Sequence, residues 1–177
     1  MFGIRGLDPF GLVHALLGVS ALVLGLAVVL RRKGTPVHRR IGQGYVLSML
    51  LLNATALMIY DLYGRFGPFH IASVISLATV GAGFIPVYLR RPPAGWMQLH
   101  ATFMCWSYVG LLAAFVSEVA VRVPGIGFGP AVIAATVLVV AGGAVLIHTR
   151  VPRILIAFSK TPPLAAQHGA APDEPRG

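Results

Sequence analysis

Charge is what this sequence has least of. Asp, Glu, Lys and Arg make up 11% of its 177 residues, against roughly 25% in an ordinary globular domain. A surface wetted on all sides needs more, so with 56% hydrophobic residues the chain is not a soluble domain. The same apolar content excludes general disorder. A single cysteine, Cys105, excludes an internal disulfide and a cysteine-based zinc finger. It stands beside Trp106 in an apolar stretch that raises a thiol's pKa, against a catalytic role. There is no His-Glu-x-x-His, no Walker loop and no Gly-x-Ser-x-Gly. Acidic residues number five, none of them inside a long apolar run, so a proton-coupled carrier lacks its usual relay.

Long apolar runs are present. A bilayer-crossing helix needs about 20 mostly apolar residues. Five stretches free of Asp, Glu, Lys and Arg qualify, at 10–30, 41–60, 69–89, 96–116 and 127–147. They are twice the length of a barrel strand and do not alternate. Short breaks carry helix signals: Thr35-Pro36, Gly67-Pro68, Pro92, Pro93 and Gly95, then Pro124 to Pro130. The expected fold is an all-α integral membrane protein with five transmembrane helices. Short connections make consecutive helices antiparallel, with helices 1–4 as an up-and-down bundle and helix 5 beside it. Residues 1–160 form one transmembrane domain, and 161–177, rich in Pro, Ala and polar residues, read as a disordered cytoplasmic tail. The first run is too long for a signal peptide and its charges follow it, so it reads as a retained anchor.

Eleven of the fourteen Lys and Arg fall on one side of this topology, after runs one, three and five; Arg5, Arg65 and Arg122 fall on the other. The positive-inside rule then places the N-terminus outside and the C-terminus in the cytoplasm. The net charge of +9 lies in membrane-flanking loops, where it meets lipid headgroups rather than nucleic acid.

Histidine supplies the remaining pattern. His14, His38, His70 and His100 each lie near the start of one of the first four helices. His14 and His70 therefore fall at the outer end, and His38 and His100 at the inner end. In an up-and-down bundle each pair sits on diagonal helices and can face across the core. His14, Gly18, Ala21 and Gly25 share one face, as do His38, Gly42 and Tyr45, and His100, Met104, Ser107 and Tyr108. Imidazole is a common axial ligand of haem iron, so two b-type haems are the sharp reading. Arg39, Arg40, Arg90 and Arg91 would face the inner propionates. Depth argues against it: His14 lies deeper in its run than His70 by about 4–5 Å, and His38 precedes its run while His100 lies within one. A metal site from His14, His70, Asp61 and Glu118 is one alternative. A non-catalytic subunit or scaffold, whose histidines only pack, is another. A small-molecule carrier centred on Asn53 is a third. His148 reads as an interfacial histidine.

Two segments carry a resemblance. His38-Arg39-Arg40-Ile41-Gly42-Gln43-Gly44-Tyr45 follows a His-Arg-x-x-Gly-x-x-Tyr pattern. His100, Met104, Ser107 and Tyr108 follow His-x-x-x-Met-x-x-Ser-Tyr. With His14, they resemble a widespread family of bacterial multi-helix membrane proteins defined by a domain of unknown function, over roughly 12–122. Trp106 stands where that family has an arginine before Ser-Tyr. The resemblance implies a multi-pass inner-membrane protein and transfers no activity. The layout is also similar to that of two-haem b-type membrane cytochromes. From these readings a haem-binding electron-transfer protein is expected, in a lipid bilayer, with a quinol or a redox protein as partner.

Overall fold

A computed structural model describes residues 9–60 and 64–159. They form five helices: α1 (Pro9–Leu30), α2 (Pro36–Met58), α3 (Pro68–Leu89), α4 (Trp96–Ala120) and α5 (Phe128–Ser159). All five are long and apolar enough to cross a membrane. No strand occurs among the described residues. The expected tail, 161–177, lies outside them.

The turn signals act where they stand. Thr35 caps α2, its Oγ1 accepting from the His38 backbone N–H at 3.1 Å, with Pro36 in the first turn. This moves the start of α2 ahead of its apolar run. Arg39 and Arg40 are thus helical rather than loop residues. At the other extreme, α5 does not stop at 147. Nothing after Ile147 breaks it, and it runs through Pro152 to Ser159 over 32 residues. At 1.5 Å per residue that is about 48 Å, against a hydrocarbon core of about 30 Å.

The first four helices close a ring. α1 packs on α2, α2 on α3, α3 on α4, and α4 returns to α1; α5 packs along α4 and meets α3 at the Phe69–Phe128 ring pair. The diagonals α1/α3 and α2/α4 have no close backbone approach. This is the expected bundle. Its axis is filled by Ala21, Tyr45, Val46, Met49, Val80 and Leu111. A second cluster, Val109, Ile147 and Val151, joins α4 to α5.

Polarity is distributed as a bilayer demands. Leu16, Val23, Leu30 and Leu138 are exposed on the periphery, while Ser48, Asn53, His70, Ser73, Ser107 and Ser117 are buried between helices. In hydrocarbon a polar side chain needs a partner inside the protein. Asn53 finds two: its Nδ2 donates to the Met49 carbonyl at 2.7 Å and to Ser76 Oγ at 3.1 Å. It pins α2 to α3, and its amide is committed.

Candidate functional site

Three glycines set how close the helices come: Gly143, where a Cβ would lie 2.5 Å from Val109 between α5 and α4, and two within the ring. A Cβ on Gly25 would lie 2.4–2.5 Å from the Tyr108 ring and 3.0 Å from Tyr45. A Cβ on Gly83 would lie 2.8 Å from Met104 Sδ and 3.0 Å from the Met104 backbone nitrogen. Gly25 therefore lets two tyrosines into the core, and Gly83 lets α4 approach α3. Gly18 and Gly42 meet only ordinary contacts at 3.7 and 3.9 Å.

The tyrosines tie the bundle together. Ser107 Oγ donates to the Met104 carbonyl at 2.9 Å, so it accepts from the Tyr45 hydroxyl, also at 2.9 Å. Tyr108 reaches across to the Leu22 carbonyl at 3.3 Å. The two rings meet edge to face, with centroids 6.3 Å apart.

The Tyr45–Ser107 bond also fixes the register of α2 against α4. Its partners are 62 positions apart, and so are His38 and His100. Both histidines lie seven residues before their partner of the bond. Seven residues are two turns, about 10 Å, and return to nearly the same helix face. The parallel helices thus bring His38 and His100 to one level and turn them the same way as Tyr45 and Ser107. The two imidazoles interact electrostatically with each other and with Lys33. The depth difference read from the apolar runs disappears because α2 starts at Pro36.

Hydrogen bonds set what each ring offers. His100 donates Nδ1–H to the Gly83 carbonyl at 2.8 Å, which leaves a lone pair on Nε2. A backbone carbonyl on the far nitrogen is the usual orienting partner of a ligating histidine. His38 is half-buried against the Val28 carbonyl, and its Nδ1 is buried without a partner. Lys33, from the 31–35 connection, folds back to donate to the Val28 and Val29 carbonyls at 2.8 and 2.7 Å. There it caps the C-terminal end of α1. Burial holds its ammonium below the ordinary lysine range. Arg39 and Arg40 stay exposed, as do Arg90 and Arg91. Arg90 lies over the Trp96 ring at 4.6 Å.

The opposite end uses its histidines differently. Thr55 donates to the Leu51 and Leu52 carbonyls, so its Oγ1 accepts from His14 Nδ1–H at 2.9 Å. His14 also interacts electrostatically with Glu118. His70 is 3% exposed, its ring against Tyr60 and Phe66 with centroids 4.5 and 4.9 Å away. Its Nδ1 accepts the Gly67 backbone N–H at 3.1 Å, which caps α3. The neutral ring then carries its proton on Nε2, a buried atom without a partner. That nitrogen presents a hydrogen rather than a lone pair. Asp61 lies outside the described residues, and among those described no three His, Cys, Asp or Glu gather around a common point.

Sequence reasoning located the four histidines and the Tyr45, Met104, Ser107 and Tyr108 faces. It missed Lys33, read only as one of the eleven topological charges, and Gly83. A lysine three residues past a helix end is a cap signal for Lys33. Gly83 carries no sequence signal that sets it apart from its neighbour Gly81.

No curated protein and no solved structure matches the chain. The model of one family, described as "Predicted membrane protein (DUF2306)", matches residues 11–156. That span holds all five helices apart from their outermost residues, and it includes both histidine-bearing segments. The chain is thus a member of the DUF2306 membrane-protein family.

Proposed function

We propose that the chain is a small cell-membrane redox protein that holds one b-type haem between His38 and His100. The observation that supports this is the shared register of the two histidines on diagonal helices, 62 positions apart like the hydrogen-bonded Tyr45 and Ser107. Each brings a nitrogen with no protein partner: Nδ1 of His38, and Nε2 of His100. His38 and His100 would hold the haem through two imidazole nitrogens. Lys33, whose ammonium caps α1 and acts electrostatically on both rings, would be a cation for a propionate. When bound, the haem supplies one-electron chemistry; the chain's residues hold it, orient it and keep water away. The positive-inside rule places this end at the cytoplasmic face. His14 and His70 are left out, because His70 presents Nε2–H.

The test is an absorption spectrum of detergent-purified protein, produced with ample haem and read before and after dithionite. The expected result is a Soret band that sharpens and an α band that appears on reduction. His38→Ala and His100→Ala abolish the low-spin spectrum, and His70→Ala leaves it. A protein without a haem band overturns the reading. A second reading then takes its place, a structural membrane subunit. It is favoured by the use of Tyr45, Ser107, Tyr108, Asn53 and Ser76 as interhelical ties.

A further inference from the structure

The two imidazoles of the basic end are held unequally. His100 donates from Nδ1 to the Gly83 carbonyl at 2.8 Å, which leaves Nε2 for a ligand. His38 is held the other way round. Its Nδ1 is the buried nitrogen without a partner, so its hydrogen bond to the Val28 carbonyl runs from Nε2. The chain therefore offers the far nitrogen of one ring and the near nitrogen of the other, and the two are chemically distinct.

The difference bears on a flat ligand. In a histidine ring the carbon beside Nδ1 carries Cβ, whereas both carbons beside Nε2 carry hydrogen. A porphyrin plane set against Nε2 meets no further side-chain atom. One set against Nδ1 meets Cβ, so that bond is the crowded one. The hydrogen bonds act in the same direction. A carbonyl on the opposite nitrogen raises the basicity of a ligating imidazole. The Val28 carbonyl also receives the Lys33 ammonium, at 2.8 Å, and an oxygen already drawn on by a cation supports His38 less. The supports differ as well. His38 lies in the first turn of α2, next to the 31–35 connection. His100 is tied to α3 at Gly83, where the Met104 backbone comes so close that a Cβ would have no room. Helix ends open more readily than packed interiors.

We propose that His100 is the fixed axial ligand of the site and His38 the one that gives way, so that the side toward His38 admits a neutral diatomic ligand such as carbon monoxide. The inference rests on the haem reading above and adds a ligand-binding activity to it.

The test uses the full-length protein, purified with its haem in detergent and reduced with dithionite, before and after saturation with carbon monoxide. The parent is expected to exchange its low-spin reduced spectrum for that of a carbon monoxide adduct. His38→Ala keeps its haem in a high-spin form and returns to the low-spin spectrum when free imidazole is added. It takes up carbon monoxide about tenfold more tightly than the parent, because no ligand has to leave first. His100→Ala loses most of its haem, measured as haem per chain. A low-spin parent spectrum that carbon monoxide does not change overturns the inference and leaves the haem reading standing. So does a His38→Ala protein that loses as much haem as His100→Ala, or one whose carbon monoxide affinity equals the parent's. A parent protein without haem overturns both.

Discussion

The two ends of the bundle carry the same residue at the same kind of position and differ in how one histidine, His70, is used. At the basic end, His100 gives its proton to a carbonyl and His38 keeps a bare buried nitrogen. At the other end, His70 spends its lone pair on the Gly67 N–H and His14 points its proton at Thr55. At the first end both rings keep a nitrogen outside these hydrogen bonds; at the second His14 does so through Nε2, while His70 serves as the cap of α3. What an imidazole offers is decided by the hydrogen bond on its far nitrogen, not by its place in the helix.

This contrast can be broken first at Gly83. Gly83→Leu drives a side chain into Met104 and its backbone, where even a Cβ has no room. Overpacking of this kind costs about 1–3 kcal/mol, and α3 and α4 must separate. The expected outcomes are a lowered unfolding midpoint in detergent and, with the Gly83–His100 bond lost, a weakened haem spectrum. The opposite end should lose stability and nothing else. His70→Ala leaves the Gly67 N–H without its acceptor and empties the space between Tyr60 and Phe66, for a loss of about 2 kcal/mol. Chemical denaturation combined with the dithionite spectrum separates the two effects. A lost spectrum in His70→Ala would end the division between the ends.

The smallest expected effect is on pH dependence. Burial lowers the pKa of Lys33 below its ordinary 10.5. Between the lowered value and 10.5, the unfolded chain holds a proton that the folded chain has released. Stability through Lys33 therefore rises with pH across that window. Lys33→Gln should remove this rise, measured as the unfolding midpoint between neutral and strongly alkaline pH. Arg122→Gln is the control at the other end. Its ion pair with Glu118 is two-thirds exposed on both sides, so its loss shifts stability by less than about 0.5 kcal/mol with no change in that slope. A Lys33→Gln profile that parallels the parent would place the Lys33 ammonium in water.

Legibility differed by element. The α2 start was readable because Thr35-Pro36 is a local cap that needs no tertiary partner. The end of α5 was misjudged by reading hydropathy. Arg150 and Arg153 end the apolar run but are compatible with a helix, and the helix continues. The histidine faces followed from periodicity. Their levels did not, because stagger between helices is set by packing. The structure sets it through the Tyr45–Ser107 bond and the close approach at Gly25.

By itself the sequence determined five helices, their apolar outward faces, the gathering of positive charge at one end and the placing of four histidines near four helix starts. Those properties depend on composition and on spacing within one segment, and a bilayer leaves few other solutions for such segments. Only the tertiary structure decided which histidines share a level, which nitrogen of each is free, that Lys33 turns back over α1, and that Gly83 admits Met104. Each of these depends on atoms from two or more helices meeting. Hydrogen bonds and steric fit between segments distant in the chain leave no period in the sequence from which to read them.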